Sequence, residues 1–284
     1  FDSFKGIDIA LFAGGSISKD FAPHAVKAGA VVIDNSSAFR MDPEVPLVVP
    51  EVNPQAILKH KGIIANPNCS TIIMVMALKP IYDLAKIKRV IVSTYQAVSG
   101  AGKEGIDELD AQVRDHSEGR EMTANILPSA SAEKHYPIAF NLIPQIDVFC
   151  DNLYTKEEMK MVNETKKIME DYEMRITATT IRVPVYRSHS ESVNIELEKE
   201  VDLGAMREAL AKFPGVTVQD DPSKQEYPMP LYTSEKDDVY VGRLRRDESC
   251  EKSYNMWVVG DQIRKGAALN TLQIAETMIK NGWI

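Results

Sequence analysis

One cysteine stands where a nucleophile is expected. Cys69 follows Asn68 and precedes a long apolar run from Ile72 to Leu84. Asn68, Ser70 and Thr71 all favour capping a helix that begins at this point. Unpaired N–H groups and the helix dipole stabilise a thiolate there, so the sequence predicts a lowered pKa for the Cys69 thiol. The alternative is a buried cysteine that acts as a small hydrophobic residue.

Composition excludes several classes of protein. The chain has 284 residues, of which 44% are hydrophobic and 26% charged, which is ordinary for one large or two medium globular domains. Its net charge of −8 and the lack of a basic stripe argue against a nucleic-acid partner. No apolar run approaches the roughly 20 residues of a membrane span.

The three cysteines are odd in number and widely spaced. Cys69, Cys150 and Cys250 form no CxxC pair, and no histidine or carboxylate spacing suggests a ligand set, so neither a metal site nor a disulfide framework is expected. Free thiols fit a reducing compartment, and no secretory signal is visible, so we expect a cytoplasmic protein.

The first part of the chain alternates strands and helices. Short apolar runs at 7–12, 31–33, 47–49 and 63–65 read as strands, with a helix over about 18–28. This order predicts a doubly wound parallel sheet, and polar and glycine residues follow its strands, where ligands bind in such sheets.

The pattern changes after Cys69. Helices are predicted over 70–86, from 103 onward, over 155–172, 201–213 and 267–280, the third opened by a capping box of Thr155 and Glu158. Strands are predicted over 89–98, 176–186, 193–197, 239–243 and 256–259, with His189 in the turn between the second and third. This order predicts an α+β unit with a mainly antiparallel sheet.

Several motifs, in a fixed order along nearly the whole chain, carry a family resemblance. They are Asp34–Arg40, Val49–Asn53, Asn66–Thr71, Tyr95–Gly102, Arg182–Glu191 and Gly266–Asn270. The sequence resembles the aspartate-β-semialdehyde dehydrogenases, in the shorter form found in Gram-positive bacteria. The resemblance implies an α/β plus α+β fold, with a dinucleotide-binding domain over 1–69 and 264–284 and a catalytic and dimerisation domain over 70–263.

The resemblance also bears on the start of the chain. Family members begin with a strand, a glycine-rich turn and a helix that hold the dinucleotide pyrophosphate, and these are expected to be missing here. The dinucleotide-binding domain is therefore expected to be incomplete at its N-terminus, by on the order of 60 residues. This leaves open a truncated, dimerising chain that holds NADPH weakly and turns over little.

The implied reaction is the NADPH-dependent reduction of L-aspartyl-β-phosphate to L-aspartate-β-semialdehyde and phosphate, a step in lysine, threonine and methionine biosynthesis. By the resemblance, Cys69 attacks the acyl phosphate to form a thioester, His189 is the acid and base, and Gln96 orients the substrate. The family enzymes take NADP and dimerise, so a homodimer is expected.

The resemblance places further residues around these three. Arg182 is expected to bind the substrate α-carboxylate, Glu164 its ammonium group, and Lys167, Arg40 and Asn68 the phosphate. The residues expected beside the cofactor are Gly14, Gly15, Ser16, Ser99, Gly100, Gly102 and Asn270.

Two other enzyme classes use the same catalytic residue types or the same chemistry. Cysteine, histidine and a glutamine donor also describe a cysteine hydrolase, and turnover of an acyl-enzyme by water without NADPH would favour it. The acetylglutamyl-phosphate reductases share the chemistry more closely. The residues of the Asn66–Thr71 motif and the spacing between Arg182 and His189 favour the aspartyl enzyme.

Overall fold

The computed structural model describes residues 2–130 and 132–284, which form two sheets. The smaller sheet contains β1 (Ile9–Phe12), β2 (Val31–Asp34) and β3 (Ile63–Ala65), which are parallel and lie in that order. Helix α1 (Ser18–Lys27) connects the first two strands. The predicted parallel, doubly wound arrangement is confirmed.

The larger sheet has six strands in the order β5-β4-β6-β9-β8-β7. They are β4 (Ile87–Gln96), β5 (Arg175–Arg182), β6 (His189–Leu197), β7 (Val216–Val218), β8 (Val239–Arg246) and β9 (Ser253–Gly260). β4 pairs with β5, and β7 with β8, in parallel, and the other neighbours are antiparallel. The predicted α+β unit is therefore present, with a mixed sheet.

The remaining helices pack around these sheets. They are α2 (Cys69–Leu84), α3 (Lys103–Ser117), α4 (Lys156–Met169), α5 (Leu203–Lys212), α6 (Pro230–Thr233) and α7 (Leu269–Asn281). A π-helical turn, Arg264–Ala268, leads directly into α7. Such turns are uncommon and are frequent at functional sites.

Helix α2 is the central element of the core. Residues 70–78 are all buried, and the helix packs against α4, α5 and strands of the larger sheet. A helix that is apolar on every side is stable only when surrounded by protein. Since Cys69 is its first residue, the position of the sulfur is fixed by a helix whose next nine residues are all buried.

The C-terminal helix returns to the smaller sheet. Ile274 and Met278 of α7 pack with Ile33 and Ile64 of its strands. The chain therefore leaves the first sheet after β3, builds the second, and comes back to the first.

Two local predictions are wrong. The run 47–49 forms only a single bridge, from Leu47 to Ala65, because the Asn53 side chain bonds the N–H of Val49 and the carbonyl of Leu47. His189 does not lie in a turn but opens β6, where it is fully buried.

Two predicted ends also shift. The strand predicted to reach 186 stops at Arg182, since Pro184 has no N–H to continue the ladder. The helix predicted to reach 172 stops at Met169, with Glu170 in the left-handed region at φ 51°.

Within 2–130 and 132–284, no helix is both long and apolar enough to cross a membrane.

Candidate active site

A cleft opens between the two sheets at the carboxyl ends of β1, β2 and β3. Its cavity has a volume of about 390 Å³. The lining comes from the loops after the three parallel strands, from the turn after β4 and from the π-helical turn, and it includes Ala13, Asn35, Arg40, Asn66, Asn68, Cys69, Ser99, Gly100, Gln262 and Gly266. This is where doubly wound sheets place their ligands.

Local bonding sets the position of Cys69. Asn68 is the N-cap of α2, and its side-chain oxygen accepts a hydrogen bond of 3.2 Å from the N–H of Thr71. The predicted helix start at the cysteine is thus confirmed. On the other side, a Cβ added to Gly266 would lie 3.0 Å from the Cys69 Cβ, so the π-helical turn closes tightly over the nucleophile.

The predicted lowering of the Cys69 pKa is wrong for this state of the protein. Burial, with the Glu157 carboxylate second, raises the pKa of the Cys69 thiol to about 12, against the opposing charges of Arg40 and Arg182. Burial disfavours the thiolate more than the helix N-terminus favours it. Cys69 is therefore a neutral thiol at pH 7 that must lose its proton during the reaction.

Gln96 and His189 meet at the end of β4. The amide nitrogen of Gln96 lies 3.3 Å from His189 Nε2, and the N–H of Ala97 donates to His189 Nδ1 at 3.1 Å. Burial, and then the charge of Arg182, hold the pKa of His189 well below its usual value. The imidazole is thus neutral at pH 7, and its Nε2 faces Gly100 in the cleft wall.

Arg182 is buried beside them with part of its guanidinium unused. Its Nη1 donates to the Ala97 carbonyl at 2.7 Å, while its buried Nε has no partner among the described residues. A buried guanidinium N–H without an acceptor is costly, and a carboxylate is the ligand that best satisfies such a fork. The observation supports an anion-binding role for Arg182.

Arg40 and Glu164 form a buried ion pair beneath the cleft. Arg40 Nη1 lies 3.2 Å from Glu164 Oε1, and the second carboxylate oxygen accepts from the Asn68 N–H at 2.6 Å. Arg40 also donates to the backbone carbonyls of Asn35 and Asn66. The predicted residues Arg40, Asn68 and Glu164 are therefore brought together around the peptide that precedes Cys69.

Lys167 is not brought into the cleft. Its ammonium group donates to the backbone carbonyls of Arg40, Asp42 and Val45 at 2.7–2.8 Å. Three acceptors satisfy all three N–H groups, so in this arrangement Lys167 holds the loop after β2 instead of facing a ligand.

Five of the residues predicted beside the cofactor lie in the cleft wall or directly follow a residue that lines it. Ser99 and Gly100 line the cleft. Gly14 and Gly15, with the backbone of Ser16, follow the lining residue Ala13 and lead into α1 at the mouth of the cleft.

Two others lie away from the lining. Gly102 precedes α3 at φ 84°, where it begins the helix. Asn270 is fully buried one layer behind the cleft, and its amide nitrogen donates to Asn66 Oδ1 at 2.7 Å. The sequence motif contains Asn270, but only the packing shows that it supports Asn66.

Sequence reasoning missed two side chains. The Gln262 amide bonds the Ser99 hydroxyl and the N–H of Ser188, tying the wall of the cleft to the strand that carries His189. Glu157 bonds both Asn68 and Gln96. In the sequence, Glu157 stands beside Glu158 of the capping box and cannot be distinguished from an ordinary acidic residue in the first turn of a helix.

Glycines bring the backbone of the cleft wall close to the reacting residues. An added Cβ at Gly100 would lie 2.7 Å from Arg182 Nη1 and one at Gly266 3.0 Å from the Cys69 Cβ, so neither position has room for a side chain. Within the described residues no side chain caps α1, which begins shortly after the cleft-lining residue Ala13. Helix N-termini of this kind bind phosphates.

Family models match both parts of the chain. The "Semialdehyde dehydrogenase, NAD binding domain" matches residues 1–60 and the "Semialdehyde dehydrogenase, dimerisation domain" matches residues 78–265.

Relatives match along almost the whole chain. The aspartate-semialdehyde dehydrogenase of Aquifex aeolicus is 58% identical over 100% of this chain and 82% of its own length. That of Bacillus subtilis is 54% identical over 98% of this chain and 81% of its own. The crystal structure of aspartate semialdehyde dehydrogenase II from Vibrio cholerae superposes with a TM-score of 0.90 at 47% identity, covering 96% of this chain and 80% of that one.

The raised pKa of Cys69 predicts its reactivity in the free protein. Iodoacetamide reacts with the thiolate, so alkylation of Cys69 is expected to be slow at pH 7 and to rise about tenfold per pH unit up to at least pH 10. Mass spectrometry of the Cys69 peptide over this range measures the rate separately from Cys150 and Cys250. A plateau below pH 8 would contradict the buried-thiol description.

Proposed function

The chain belongs to the aspartate-semialdehyde dehydrogenase family, and from that premise we propose how its own side chains carry out the family reaction. The reaction is the reductive dephosphorylation of L-aspartyl-β-phosphate to L-aspartate-β-semialdehyde through a cysteine thioester. The observation that carries the assignment of roles is that Cys69 lines the cleft while Arg182 and His189 lie directly behind Gly100 of the same wall, with Gln96 beside His189.

Cys69 is the nucleophile. Its sulfur attacks the acyl carbon of the substrate, the bond from that carbon to the phosphate oxygen breaks, and phosphate leaves with the electron pair. Because the free thiol is neutral, its proton must be taken as the sulfur–carbon bond forms. Arg40 and Arg182, whose charges favour the thiolate, supply part of the stabilisation.

His189 exchanges the proton through Nε2. Its Nδ1 is occupied by the Ala97 N–H, so Nε2 is the nitrogen left to face the reacting groups. Because Nδ1 accepts from the Ala97 N–H, the neutral ring carries its proton on Nε2, the nitrogen that faces the cleft. His189 is therefore assigned to donate this proton to the reacting oxygen as acid and to take up in its place the proton that Cys69 releases. Gln96 holds the ring from the side of β4.

The substrate is bound by the charged residues around the nucleophile. The unused Nε–H of Arg182 suits its α-carboxylate, and the Glu164 carboxylate suits its ammonium group. Arg40 and Asn68 lie on the cleft wall where the phosphate would sit.

The cofactor of the reaction is a nicotinamide dinucleotide, which we take to be NADPH. Bound in the cleft, the reduced nicotinamide supplies the hydride that converts the thioester to the aldehyde. Ser99, Gly100 and the Gly14–Ser16 turn would hold it, with the closely packed wall of Gly266 excluding water from the thioester.

Replacement of the nucleophile tests the proposed function directly. Cys69→Ala is expected to lower the phosphate-dependent reduction of NADP⁺ by L-aspartate semialdehyde by about a thousandfold or more, since no thioester forms. Cys150→Ala and Cys250→Ala are matched controls and should retain activity. Activity in the Cys69→Ala protein would rule out the thioester route, and hydrolysis of an acyl-enzyme without NADPH would indicate a hydrolase.

Arg182 offers a second test, of substrate binding. Arg182→Lys is expected to raise the KM for L-aspartate semialdehyde about 10- to 100-fold with a smaller change in kcat, because lysine cannot make the bidentate contact. Arg175→Lys, the same substitution at the exposed start of β5, is the control. An unchanged KM in the Arg182 variant would remove this residue from the carboxylate site.

We also infer a homodimer. Residues 78–265 match a dimerisation domain, and this part of the chain exposes several large apolar side chains, among them Phe149, Leu153, Leu231 and Tyr232. Exposed apolar patches of this kind mark protein–protein interfaces. Sedimentation velocity is expected to give about twice the chain mass of 31.6 kDa, and a monomer at micromolar concentration would contradict the inference.

A further inference from the structure

Glu157 is a buried carboxylate that none of the proposed steps uses. It lies in the first turn of α4, and only 5% of the residue is exposed. Its neighbour Glu158 completes the capping box with Thr155 and also accepts from the N–H of Thr180. The two adjacent carboxylates therefore do different things: Glu158 stabilises the helix start, and Glu157 points to the groups around Cys69.

One oxygen of Glu157 joins two parts of the active site. Glu157 Oε1 accepts from Asn68 Nδ2 at 2.9 Å and from Gln96 Nε2 at 3.3 Å. Asn68 is the N-cap beside the nucleophile, and Gln96 is the residue that contacts His189. The loop before α2 and the end of β4 are thus held at a fixed separation by a side chain from a third element.

The other oxygen anchors the carboxylate. Glu157 Oε2 accepts from Lys160 Nζ at 3.1 Å, and the same ammonium group contacts Asp147 at 2.9 Å. Burial raises the pKa of Glu157, but the Lys160 charge and the hydrogen bonds from Asn68, Lys160 and Gln96 outweigh it, so the net shift is downward. The group is an anion at neutral pH.

The anion selects the orientation of the Gln96 amide. The amide nitrogen faces Glu157 and His189, and the amide oxygen accepts from Thr94 Oγ1 at 3.0 Å. Turning the amide over would place its oxygen 3.3 Å from a carboxylate oxygen, two acceptors with no proton between them. The Thr94 hydroxyl donates or accepts equally well, so it does not decide the orientation.

This orientation places the Gln96 amide nitrogen beside His189. The Gln96 amide presents N–H to Nε2, and Ala97 presents N–H to Nδ1, so both ring nitrogens face donors. A charged imidazolium would find no hydrogen-bond acceptor at either nitrogen. The neutral ring, with Nδ1 accepting and its one proton on Nε2, avoids the second N–H that an imidazolium would place against the Ala97 N–H.

We propose that Glu157 is a positioning residue for the reaction: it fixes Asn68 beside Cys69 and the Gln96 amide beside His189, and so holds the nucleophile and the acid–base residue in place relative to one another. This proposal rests on the proposed function of the cleft. It predicts that removing the carboxylate impairs kcat much more than KM, because among the described residues Glu157 forms no hydrogen bond with Arg182 or Glu164 and acts on them only through its charge.

The test compares Glu157→Gln with Glu158→Gln, the same change at the next residue. Glu157→Gln is expected to lower kcat about 10- to 100-fold and to change the KM for L-aspartate semialdehyde less than threefold. Glu158→Gln is expected to lower the unfolding midpoint through the loss of its cap while kcat stays within about twofold. Equal losses of kcat in the two variants, tracking stability, would overturn the proposal.

Alkylation of Cys69 supplies a readout that does not depend on turnover. The charged groups that act on this thiol are Glu157 from α4, Arg40 from the loop after β2 and Arg182 from β5. Loss of the Glu157 charge lowers the pKa of the thiol, so Glu157→Gln should speed iodoacetamide alkylation at pH 8.5 by about tenfold for each pKa unit. The pH–rate curve should keep its shape and move to lower pH.

Glu157→Asp separates charge from position and also serves if the glutamine variant folds poorly. The shorter carboxylate keeps the anion but cannot reach Asn68 and Gln96 together. It should show the wild-type alkylation profile and a lowered kcat, whereas wild-type kcat in Glu157→Asp would overturn the positioning role. Failure of the wild-type chain to reduce NADP⁺ would instead overturn the proposed function, and the alkylation comparison would still report whether Glu157 acts on Cys69.

Discussion

The hydrogen bond between the Glu164 carboxylate and the backbone N–H of Asn68 connects the part of the molecule built on the larger sheet to the part built on the smaller one. Its length is 2.6 Å, and the same carboxylate is paired with Arg40 from the loop after β2. Glu164 belongs to α4, which covers the larger sheet, while Asn68 and Arg40 belong to the loops of the smaller one. Because this carboxylate is almost fully buried, losing Arg40 would leave an uncompensated charge and losing the Asn68 N–H would leave an oxygen without a donor, so the arrangement is strongly determined.

That contact fixes the position of Cys69, and the burial around the sulfur sets the pKa of the thiol. The peptide bonded by Glu164 directly precedes Cys69, and the long buried helix behind it prevents the sulfur from moving away. The same burial makes the thiol hard to ionise. The thiol therefore stays protonated at neutral pH although the charges of Arg40 and Arg182 favour its ionisation.

The other charged side chains of the cleft follow the same rule. Three of them are buried: Arg182, Glu157 and Arg40. Glu157 and Arg40 form hydrogen bonds with groups from distant parts of the chain, and Arg182 keeps an N–H that a ligand would satisfy. Lys167 shows the opposite case, since three backbone carbonyls already satisfy its ammonium group. The distinction between ligand-binding and structural cations therefore depends on which donors remain free, which the identity of the residue does not reveal.

The sequence by itself determined the features that depend on neighbours within one helical turn. Asn68 caps the helix that starts at Cys69, Thr155 and Glu158 form their box, and the ordered motifs identify the family. The tertiary structure alone decided the protonation of Cys69, the place of His189 on a strand, the burial of Asn270 and the role of Glu157. The physical reason is range: a cap is a bond across three residues, whereas Glu157 reaches partners 61 and 89 positions away, and burial depends on the whole fold.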